Sequence, residues 1–567
     1  MKKKIKAFQI ITLIFVVVFL TNCRAVIEDN IITKEILRFG KAEFDINVNS
    51  QFKNPYDSRI VQLDMIIKSP SGNELVLPCY FDKDSGAGSL WKARFAPAET
   101  GNYSYHFRLT KEGGIIDNSK EKTFVSSDSD SEGFLKVNNY WTLKFDSGKP
   151  FRGIGENIAS NPRSDTAKYT YSYLLPKISA NGANFIRIWM HQGSLPGEWY
   201  IPRRRPNETT PPETEIKRNQ LDETVEIAEK NGIYIMLALD VHGMLLEGSG
   251  WGSHAFNAVN GGPAKTPAEF FTLEESRIKY KNKLRYFVAR WGYSTHIAFW
   301  EFFNEVDNAM FGTSQNKPAE PMPHKIVTDW HREMSDYLKE IDPYKHLVTT
   351  SISHRDIDGL NDLPSIDLNQ KHIYKRTSAM RPETIEAAYK HGKPYAIGEY
   401  GYEWNWNLDF TSMGIEKVYD FKRGLWYGMF TPTPILPMSW WWEYFDDRGV
   451  TQYFNGVRDI SDQMLAAGNG VLDTVAVKGN IVETYAVKCG EKYFVYVLNN
   501  SNCDTKTDIT LSGLTDNEIK YSVNTYIPDI FIYHEVKNTN IVDGKMIVND
   551  IYLRSKDEIV LIISPLK

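Results

Sequence analysis

The sequence predicts a multidomain α/β plus all-β protein, in which a (β/α)8 TIM barrel is flanked by an N-terminal immunoglobulin-like β-sandwich and a C-terminal β-sandwich. Three observations predict this fold class. Short alternating strands with frequent turns precede residue 126, strands alternate with helices from 134 to 467, and short alternating strands return after 468. The length of 567 residues allows two to four domains.

The composition describes a globular protein that is rich in aromatic residues. Apolar residues make up 42% of the chain and charged residues 24%, values that argue against disorder. The net charge of −5, with both signs mixed along the chain, argues against a nucleic-acid partner, which needs a basic surface. The 14 Trp and 31 Tyr slightly favour a carbohydrate ligand, because flat rings stack on sugar faces, although β-rich cores also use aromatic residues freely.

The first 32 residues are predicted to be a targeting segment. Three lysines precede an apolar run over 10–20, so residues 1–22 are a predicted signal peptide, and the run is too short to span a membrane comfortably. The stretch Leu20-Thr21-Asn22-Cys23 resembles a bacterial lipoprotein box. That resemblance implies lipidation of Cys23, a tether over 23–32, and export through the inner membrane as an outer-membrane, cell-surface or periplasmic lipoprotein. Simple secretion with cleavage nearby is the alternative.

Residues 33–125 are predicted to form the immunoglobulin-like β-sandwich. The run 60–68 has strand character, and turn-forming residues follow it. Tyr103, Tyr105 and Phe107 alternate with polar residues, so they share one face of a strand. Short strands with turns about every ten residues are typical of such sandwiches.

A polar linker over 126–133 precedes the predicted barrel, which covers residues 134–467. Eight apolar runs of strand character occur there, and helical patterns separate them. The runs are 151–157, 184–190, 233–240, 296–305, 346–350, 366–374, 394–402 and 434–443. The alternative of an open doubly wound sheet needs a glycine-rich phosphate loop after its first strand, and residues 153–157 lack the third glycine.

Residues 468–567 are predicted to form the second β-sandwich, because short alternating strands such as 493–498 and 558–563 recur there. This domain is either a brace that packs against the barrel, which we favour, or a sugar-binding module. Cys489 and Cys503 lie within it and can form a disulfide bond. Together with Cys23 and Cys79, they are too few and too scattered for a disulfide framework or a zinc site.

Polar residues stand where the predicted barrel strands end. Asn304 and Glu305 end the fourth run, and Glu399 follows the apolar part of the seventh. The carboxyl ends of the strands meet at one face of such a barrel, where its working residues collect. The other strand ends contribute Glu156, Asn157, Arg187, Trp189, Asp240, His242, His372, Tyr374, Trp440, Trp441, Trp442 and Glu443.

This mixture of carboxylates, imidazoles, one arginine and tryptophans suits glycoside cleavage. That reaction needs one protonated carboxyl group to donate to the departing oxygen and one ionised carboxylate beneath the anomeric carbon. It needs no metal and no cofactor, and we expect none. If Glu305 and Glu399 form the pair, a retaining mechanism predicts that their carboxyl groups lie about 5–5.5 Å apart.

On these residues, the stretch 134–465 resembles glycoside hydrolase clan A, the retaining (β/α)8-barrel glycosidases, and most of all family 5 and its relatives. The resemblance implies that Glu305, preceded by Asn304, is the acid/base and that Glu399, between Gly398 and Tyr400, is the nucleophile. Supporting or substrate-binding roles are implied for Arg187, His242, Asn304, His372, Tyr374 and the tryptophans Trp440, Trp441 and Trp442. Val306 departs from the proline that family 5 usually has after the acid/base.

The implied roles set expectations for the two carboxyl groups. Glu305 has to hold a proton, so we expect burial and the charge of Glu399 to raise its pKa. Glu399 has to stay ionised, and we expect Arg187 and Tyr374 to keep it so by charge and hydrogen bonding. Arg187 has a structural alternative, which is a buried ion pair with Glu301.

The predicted function is a retaining glycoside hydrolase that cleaves β-glycosidic bonds of an extracellular poly- or oligosaccharide by double displacement. One alternative is a non-catalytic surface glycan-binding lipoprotein on the same barrel. Another is a metallohydrolase that uses Asp240, His242 and His254, which is disfavoured because no His-x-His pair follows the first strand. A satisfied core histidine is an equal alternative for His242. The sugar, the choice between endo and exo cleavage and the oligomeric state stay open.

Overall fold

The computed structural model describes residues 27–160, 168–190, 213–313, 321–405, 414–516 and 518–566, apart from the side chains of 213–219, 415, 535 and 536. The predicted signal peptide over 1–22 and the predicted lipidation site Cys23 lie outside the described residues. The chain divides into two compact units. One combines the residues up to 131 with 282–293, and the other combines 132–281 with 294–567.

The described part of the first unit contains two antiparallel sheets of short strands. The strands are β1 Ile27–Ile31, β2 Ala42–Val48, β3 Val61–Lys68, β4 Glu74–Pro78, β5 Tyr80–Asp84, β6 Ser89–Phe95, β7 Gly101–Lys111, β8 Gly114–Asn118 and β9 Lys122–Ser126. One sheet has the order β1-β2-β6-β5, and the other has the order β4-β3-β7-β8 with β9 also paired to β7. The predicted all-β domain is confirmed, whereas its immunoglobulin-like class stays a prediction.

An aromatic core joins the two sheets. Phe44 on β2 packs edge-on against Tyr105 and Phe107 on β7, with ring centroids 5.1 and 6.2 Å apart. Tyr103, Tyr105 and Phe107 are each at most 1% exposed, so the predicted one-sided burial of this strand is confirmed.

Part of the segment predicted as a lipoprotein tether, 23–32, is a strand. Ile27–Ile31 pairs antiparallel with β2 along its whole length, from Ile27 opposite Val48 to Ile31 opposite Phe44. These five residues therefore belong to the all-β domain, which begins earlier than the predicted residue 33, and the tether stays a prediction. Only Ile27 in this strand is buried, which is typical of an edge strand and leaves too weak an apolar pattern to identify from sequence.

The second unit begins with a small antiparallel sheet that closes one end of the barrel interior. Its strands are β10 Leu135–Val137, β11 Leu143–Phe145 and β12 Pro150–Phe151. Phe145 and Phe151 cluster with Phe185 and Phe299, which begin or lie early in two barrel strands. The predicted first barrel strand, 151–157, therefore begins too early, because Phe151 belongs to this small sheet, whereas Gly153 and Gly155–Asn157 pair within the barrel.

Seven parallel strands of the barrel follow one another around it in chain order. They are β13 Gly155–Asn157, β14 Phe185–Trp189, β15 Tyr234–Val241, β16 Ile297–Asn304, β17 Leu347–Ile352, β18 Leu368–Tyr374 and β19 Tyr395–Gly401. Each pairs in parallel with the next. The order is that of a barrel built from repeated strand–helix units.

Residues 434–440 occupy the eighth position and close the barrel. On one side, the backbone N–H of Leu436 donates to the carbonyl of Gly153 at 2.9 Å. On the other side, the N–H of Tyr400 donates to Met438 at 3.0 Å, and the N–H of Trp440 donates to Tyr400 at 2.8 Å. The predicted (β/α)8 barrel is confirmed.

Helices surround these strands and also follow two of them directly at the mouth. The helices of the described residues are α1 Tyr171–Ala180, α2 Glu213–Lys230, α3 Pro267–Thr272, α4 Glu274–Trp291, α5 Val306–Ala309, α6 His324–Ile341, α7 Met380–His391, α8 Ile415–Met429, α9 Trp442–Asp447 and α10 Tyr453–Gly468. On α6, Val327, Trp330, Met334 and Leu338 are buried at helical spacing, which is the apolar stripe expected of a helix that covers a barrel.

The C-terminal domain consists of eight antiparallel strands in the described residues. They are β20 Asp473–Lys478, β21 Glu483–Cys489, β22 Lys492–Leu498, β23 Thr505–Ser512, β24 Lys520–Ile527, β25 Ile532–Val542, β26 Lys545–Leu553 and β27 Glu558–Pro565. Strands β20 and β25 each pair with one neighbour over their first part and with another over their last part, so two sheets join into a closed ring. The predicted C-terminal antiparallel domain is confirmed.

Buried contacts fix this domain against the barrel helix α8. Lys422 Nζ lies 2.5 Å from Asp529 and 3.2 Å from the buried Glu558, and the Trp426 ring stacks on Tyr496. These contacts support the brace reading. Cys489 is buried, Cys503 is exposed and both are free thiols, so the disulfide alternative is not realised. Within the described residues, no helix has the length and apolar character needed to cross a membrane.

Candidate active site

The structure brings the two strand-terminal carboxylates together at the barrel mouth. Glu305 follows β16 directly, and Glu399 lies near the end of β19. One oxygen of each carboxylate and one ring nitrogen of His372 all lie within 4.8 Å of one another. This separation agrees with the roughly 5–5.5 Å of a retaining pair and is too short for the roughly 6.5–9.5 Å of an inverting pair.

The backbone at Glu305 turns sharply to aim its side chain into the mouth. Its φ of 54° and ψ of 55° place it in the left-handed region of backbone conformation, which residues other than glycine rarely adopt. The Glu305 N–H donates to Ser351 Oγ at 3.0 Å, and that hydroxyl donates to the Phe303 carbonyl at 3.0 Å. Strained residues held in this way by their surroundings cluster at functional sites.

Arg187, at the centre of β14, connects the site from below and is completely buried. Its guanidinium donates to both oxygens of Glu301, at 2.7 and 2.6 Å, and to Glu399 Oε1 at 2.6 Å. It also donates to Asn304 Oδ1 at 2.8 Å and Asn157 Oδ1 at 3.1 Å. The structural ion pair with Glu301 and the contact with Glu399 therefore coexist.

Glu399 is almost completely buried and has a donor on each oxygen. Arg187 contacts Oε1, and the Tyr374 hydroxyl donates to Oε2 at 2.6 Å. Burial is the largest influence and raises the pKa of Glu399, with the Glu305 charge adding to it, while His372, Arg187 and Tyr374 oppose the rise. Burial and the same Glu399 charge raise the pKa of Tyr374, which keeps its hydroxyl protonated as a donor.

The surroundings of Glu305 lower its pKa, contrary to the expectation from sequence. Burial alone raises it, but His372 Nδ1 donates to Oε1 at 2.8 Å, and the charges of His372, His242 and Arg187 add to the opposite effect. Together they lower the pKa of Glu305 to about 2. The prediction of a raised pKa in the ligand-free protein is therefore wrong, because the sequence does not show that two imidazoles flank this carboxylate.

His242 and Asn304 lie beside Glu305 at the mouth. His242 begins a short 3-10 turn after β15, and its Nδ1 lies 3.5 Å from Glu305 Oε2 and 3.3 Å from Asn304 Nδ2. Its side chain is 17% exposed. His242 therefore lies at the cleft and not in the core.

The three consecutive tryptophans have different surroundings. Trp440 packs against Trp189, with ring centroids 4.9 Å apart, and edge-on against Trp442. Trp441 has a left-handed backbone and its Nε1 donates to the Glu403 carbonyl at 2.5 Å. All three are at most 4% exposed, so their predicted role as a floor for a sugar ring stays a prediction.

Two residues that the sequence did not single out contact Glu305 directly. Ser351, on β17, accepts a hydrogen bond from the backbone N–H of Glu305, and Asn308 Nδ2 donates to Glu305 Oε2 at 3.0 Å. Asn308 lies on the short helix α5, and Glu305 precedes that helix as its N-cap. Its closeness to Glu305 in the chain is the signal that could have found it.

The compact group of carboxylates and imidazole is better suited to proton transfer than to a metal ion. Among the described residues, one group of three or more His, Cys, Asp or Glu side chains is compact enough to hold a metal ion, and it consists of Glu305, His372 and Glu399. The Arg187 guanidinium already contacts Glu399 Oε1 and would repel a cation. The metallohydrolase alternative is not supported, because among the described residues Asp240, His242 and His254 do not form such a group, and Asp240 accepts from the Tyr280 hydroxyl at 2.8 Å.

Comparisons of sequence agree with this geometry. Residues 146–421 match the family model described as Cellulase (glycosyl hydrolase family 5), and residues 35–110 match a domain of unknown function, DUF5060.

Two curated proteins are similar to parts of the chain. Over 213 residues it is 27% identical to "Probable mannan endo-1,4-beta-mannosidase C" of Aspergillus terreus (strain NIH 2624 / FGSC A1156), covering 33% of this chain and 50% of that protein. Over 170 residues it is 28% identical to "Mannan endo-1,4-beta-mannosidase 3" of Oryza sativa subsp. japonica, covering 28% and 33%. The chain thus spans about half the length of the first relative and about a third of the second.

Solved structures share the fold. A structure from Bacteroides vulgatus ATCC 8482 superposes with a TM-score of 0.68 at 14% identity, covering 94% of this chain and 100% of that one. A glycoside hydrolase family 5 structure from the same organism gives a TM-score of 0.51 at 15% identity, covering 76% and 93%.

Proposed function

Because the barrel of this chain is a glycosyl hydrolase family 5 domain, we propose that the protein is a glycoside hydrolase that cleaves β-glycosidic bonds of an extracellular poly- or oligosaccharide with retention of configuration. The observation that carries the proposal is the distance of at most 4.8 Å between an oxygen of Glu305 and an oxygen of Glu399. Two carboxylates this close leave no room for a water between them and the sugar, so one of them must attack the sugar itself.

Glu399 is the proposed nucleophile, because Arg187 and Tyr374 each donate to one of its oxygens. Arg187 holds Oε1 and Tyr374 holds Oε2, which fixes the carboxylate plane and favours the ionised form against the effect of burial. Arg187 keeps its charge, since Glu301 and Glu399 raise its pKa further above the usual range despite burial.

Glu305 is the proposed acid/base, and the cleft around it has to favour its protonated form when substrate is bound. In the ligand-free chain its surroundings lower the pKa of Glu305 to about 2, with His372 Nδ1 at 2.8 Å from Oε1. The Glu305 side chain is 15% exposed to water. A sugar that fills the cleft removes this water, which raises the pKa of the carboxylate and favours its protonated form.

The reaction then has two steps. In the first, a Glu399 oxygen attacks the anomeric carbon while Glu305 donates its proton to the departing glycosidic oxygen, which leaves a glycosyl ester on Glu399. In the second, the Glu305 carboxylate takes a proton from water, whose oxygen attacks the anomeric carbon and releases Glu399. Two inversions give a product with the original β configuration.

β-1,4-Mannan is the first substrate to test, because the names of both curated relatives give mannan as the substrate. Trp440, packed on Trp189 beside the guanidinium of Arg187, is the aromatic surface proposed to stack on a sugar ring. An external polysaccharide also fits the proposed export and the lipid anchor at Cys23, which rest on the N-terminal sequence.

The test is a reducing-sugar assay on mannan, glucan, xylan and host glycans, with early-product anomers read by proton NMR. We expect cleavage of at least one β-linked glycan, with the β anomer formed first, and complete loss in Glu399→Gln. Glu403→Gln is the matched control, because Glu403 follows the same strand but pairs with Lys375 at 2.7 Å outside the carboxylate pair. Binding without cleavage on every glycan would support a non-catalytic glycan-binding protein instead, and an α anomer would exclude retention.

A further inference from the structure

A second polar network lies on the side of Glu305 that faces away from His372. Asn308, on helix α5, is 5% exposed and contacts three side chains. Its Nδ2 donates to Glu305 Oε2 at 3.0 Å and lies 3.3 Å from Ser353 Oγ, and its Oδ1 accepts from Arg355 at 2.7 Å. None of these contacts is part of the proposed two-step reaction.

Arg355 determines which way the Asn308 amide points. A guanidinium has only donors, so the atom that faces it has to be the amide oxygen. The amide nitrogen then has to face Glu305 Oε2. The opposite orientation would place two donors together at Arg355 and two acceptors together at Glu305, and is excluded by these partners.

The buried Asp307 holds Arg355 in place. Asp307 is completely buried and accepts hydrogen bonds from the Ser353 N–H at 2.7 Å, the Ser353 hydroxyl at 2.6 Å and the Arg355 N–H at 3.2 Å. The Arg355 guanidinium also lies 4.8 Å from the centre of the Phe311 ring. The loop after β17 is thereby fixed to helix α5, and the amide is held on both sides.

We propose that Asn308, oriented by Arg355, is a positioning residue that fixes Glu305 Oε2 and favours the ionised form of Glu305. The inference deepens the proposed glycosidase function and rests on it for its role in the reaction. Because an amide N–H donates more strongly to a carboxylate than to a neutral carboxyl group, the contact makes Glu305 a stronger acid and a weaker base.

Asn308 differs from the other groups that face Glu305. These are His372 on β18, His242 after β15, Arg187 on β14, Glu399 on β19 and Tyr374 at the end of β18, and each of them is charged or can titrate. The amide cannot titrate. Its effect is therefore constant with pH, and removing it should move the titration of Glu305 without adding a new one.

The direct test is a carboxyl carbon-13 NMR titration of protein labelled at glutamate Cδ, with the Glu305 signal identified by its loss in Glu305→Gln. In Asn308→Asp, a carboxylate oxygen replaces the donor about 3 Å from Glu305 Oε2, so the two groups compete for one proton. We expect the Glu305 titration to move upward by about one pH unit or more. An unchanged titration would overturn the inference whether or not the protein is active.

Kinetics give an independent measure in the active protein. Glu305 has to be protonated for the first step, so activity falls as pH rises through its pKa in the substrate complex, and the alkaline limb of kcat should move to higher pH in Asn308→Asp and Asn308→Leu. A weaker acid should slow a polysaccharide more than a 2,4-dinitrophenyl β-glycoside, whose leaving group needs little protonation. Equal loss on both substrates with an unmoved limb would indicate a merely structural role.

Variants of the neighbours separate orientation from packing. Arg355→Met frees the Asn308 amide to turn, so the Glu305 titration and the alkaline limb should both move to higher pH. Arg355→Lys keeps a donor next to the amide oxygen, so both should return to the wild-type position. Ser353→Ala removes a contact of Asn308 but neither of the two that orient it. Asp307 still accepts from the backbone N–H groups of residues 353 and 355, so the limb should stay in place. Inactivity of the wild type on all glycans would contradict the proposed function alone, since the NMR titration still decides the role of Asn308.

Discussion

Replacing Arg187 by methionine tests the most densely bonded residue of the site. Methionine is close to arginine in length, but it removes the guanidinium from between Glu301 and Glu399, which are 0% and 3% exposed. Removing one partner of a buried ion pair leaves an uncompensated buried charge and typically costs about 3–5 kcal/mol. We expect the free energy of unfolding of Arg187→Met to fall by about that amount.

The same substitution should change the pH dependence in a defined direction. Burial already raises the pKa of Glu399, and Arg187 is one of the groups that oppose the rise. Without the guanidinium, the pKa of Glu399 rises further. Glu399 has to be ionised to attack, so activity is lost as pH falls through this pKa, and the acidic limb of kcat/KM should move to higher pH.

The assay combines chemical denaturation with a pH–rate profile for Arg187→Met, Glu301→Gln and the double variant. In the double variant, Glu301→Gln replaces one of the two buried carboxylates by a neutral amide, so the loss of stability should be smaller than the sum of the two single losses. Arg187→Lys keeps the positive charge but loses the planar guanidinium that donates to both carboxylates. Its stability and its acidic limb should lie between those of the wild type and Arg187→Met. A loss below about 0.5 kcal/mol together with an unmoved acidic limb would refute the reasoning.

Three further predictions concern other parts of the chain. Lys422→Met should lower the melting temperature measurably, because it leaves the buried Glu558 without its cation, whereas the control Lys506→Met removes an exposed pair with Asp550 and should change little. Gly398→Ala should lower both stability and activity, because the added Cβ would lie 2.1 Å from Gln370 Oε1 and 3.1 Å from His372 Nε2; an unchanged thermal unfolding curve and rate would argue against this packing. Cys23→Ser should release the protein from the membrane fraction in a fractionation assay, because a lipid anchor depends on that thiol; retention in the membrane would argue against lipidation.

The barrel could be predicted because its strands carry a strong local signal. Burial on both sides gives apolar runs such as Ile297–Asn304 and Tyr395–Gly401, and the polar residues that end them stand at one face. Edge elements carry no such signal. Ile27–Ile31 buries one side chain, and the strand at Pro150–Phe151 has two residues, so both depend on partners that are distant in sequence.

The candidate site could be predicted as a set of residue types, but not as a set of contacts. Strand ends located Glu305, Glu399, Arg187 and His372, which the structure does place together. The direction of the Glu305 pKa depends on His372 and His242, which lie 67 and 63 residues away in the chain, and burial and distance are not visible in sequence. Asn308 was missed because its role depends on Arg355, on a different loop.

The measurement that tests the central claim most directly is the anomeric configuration of the product formed with azide by Glu305→Ala and by Glu399→Ala. With a 2,4-dinitrophenyl β-glycoside, Glu305→Ala still forms the glycosyl ester on Glu399, and azide, which needs no base, should release a β-glycosyl azide. In Glu399→Ala, azide enters from the side that the nucleophile vacated and should give the α-glycosyl azide. NMR of the two products reads the result. Swapped configurations would reverse the two roles, and full activity of both variants without azide would place the catalytic residues elsewhere.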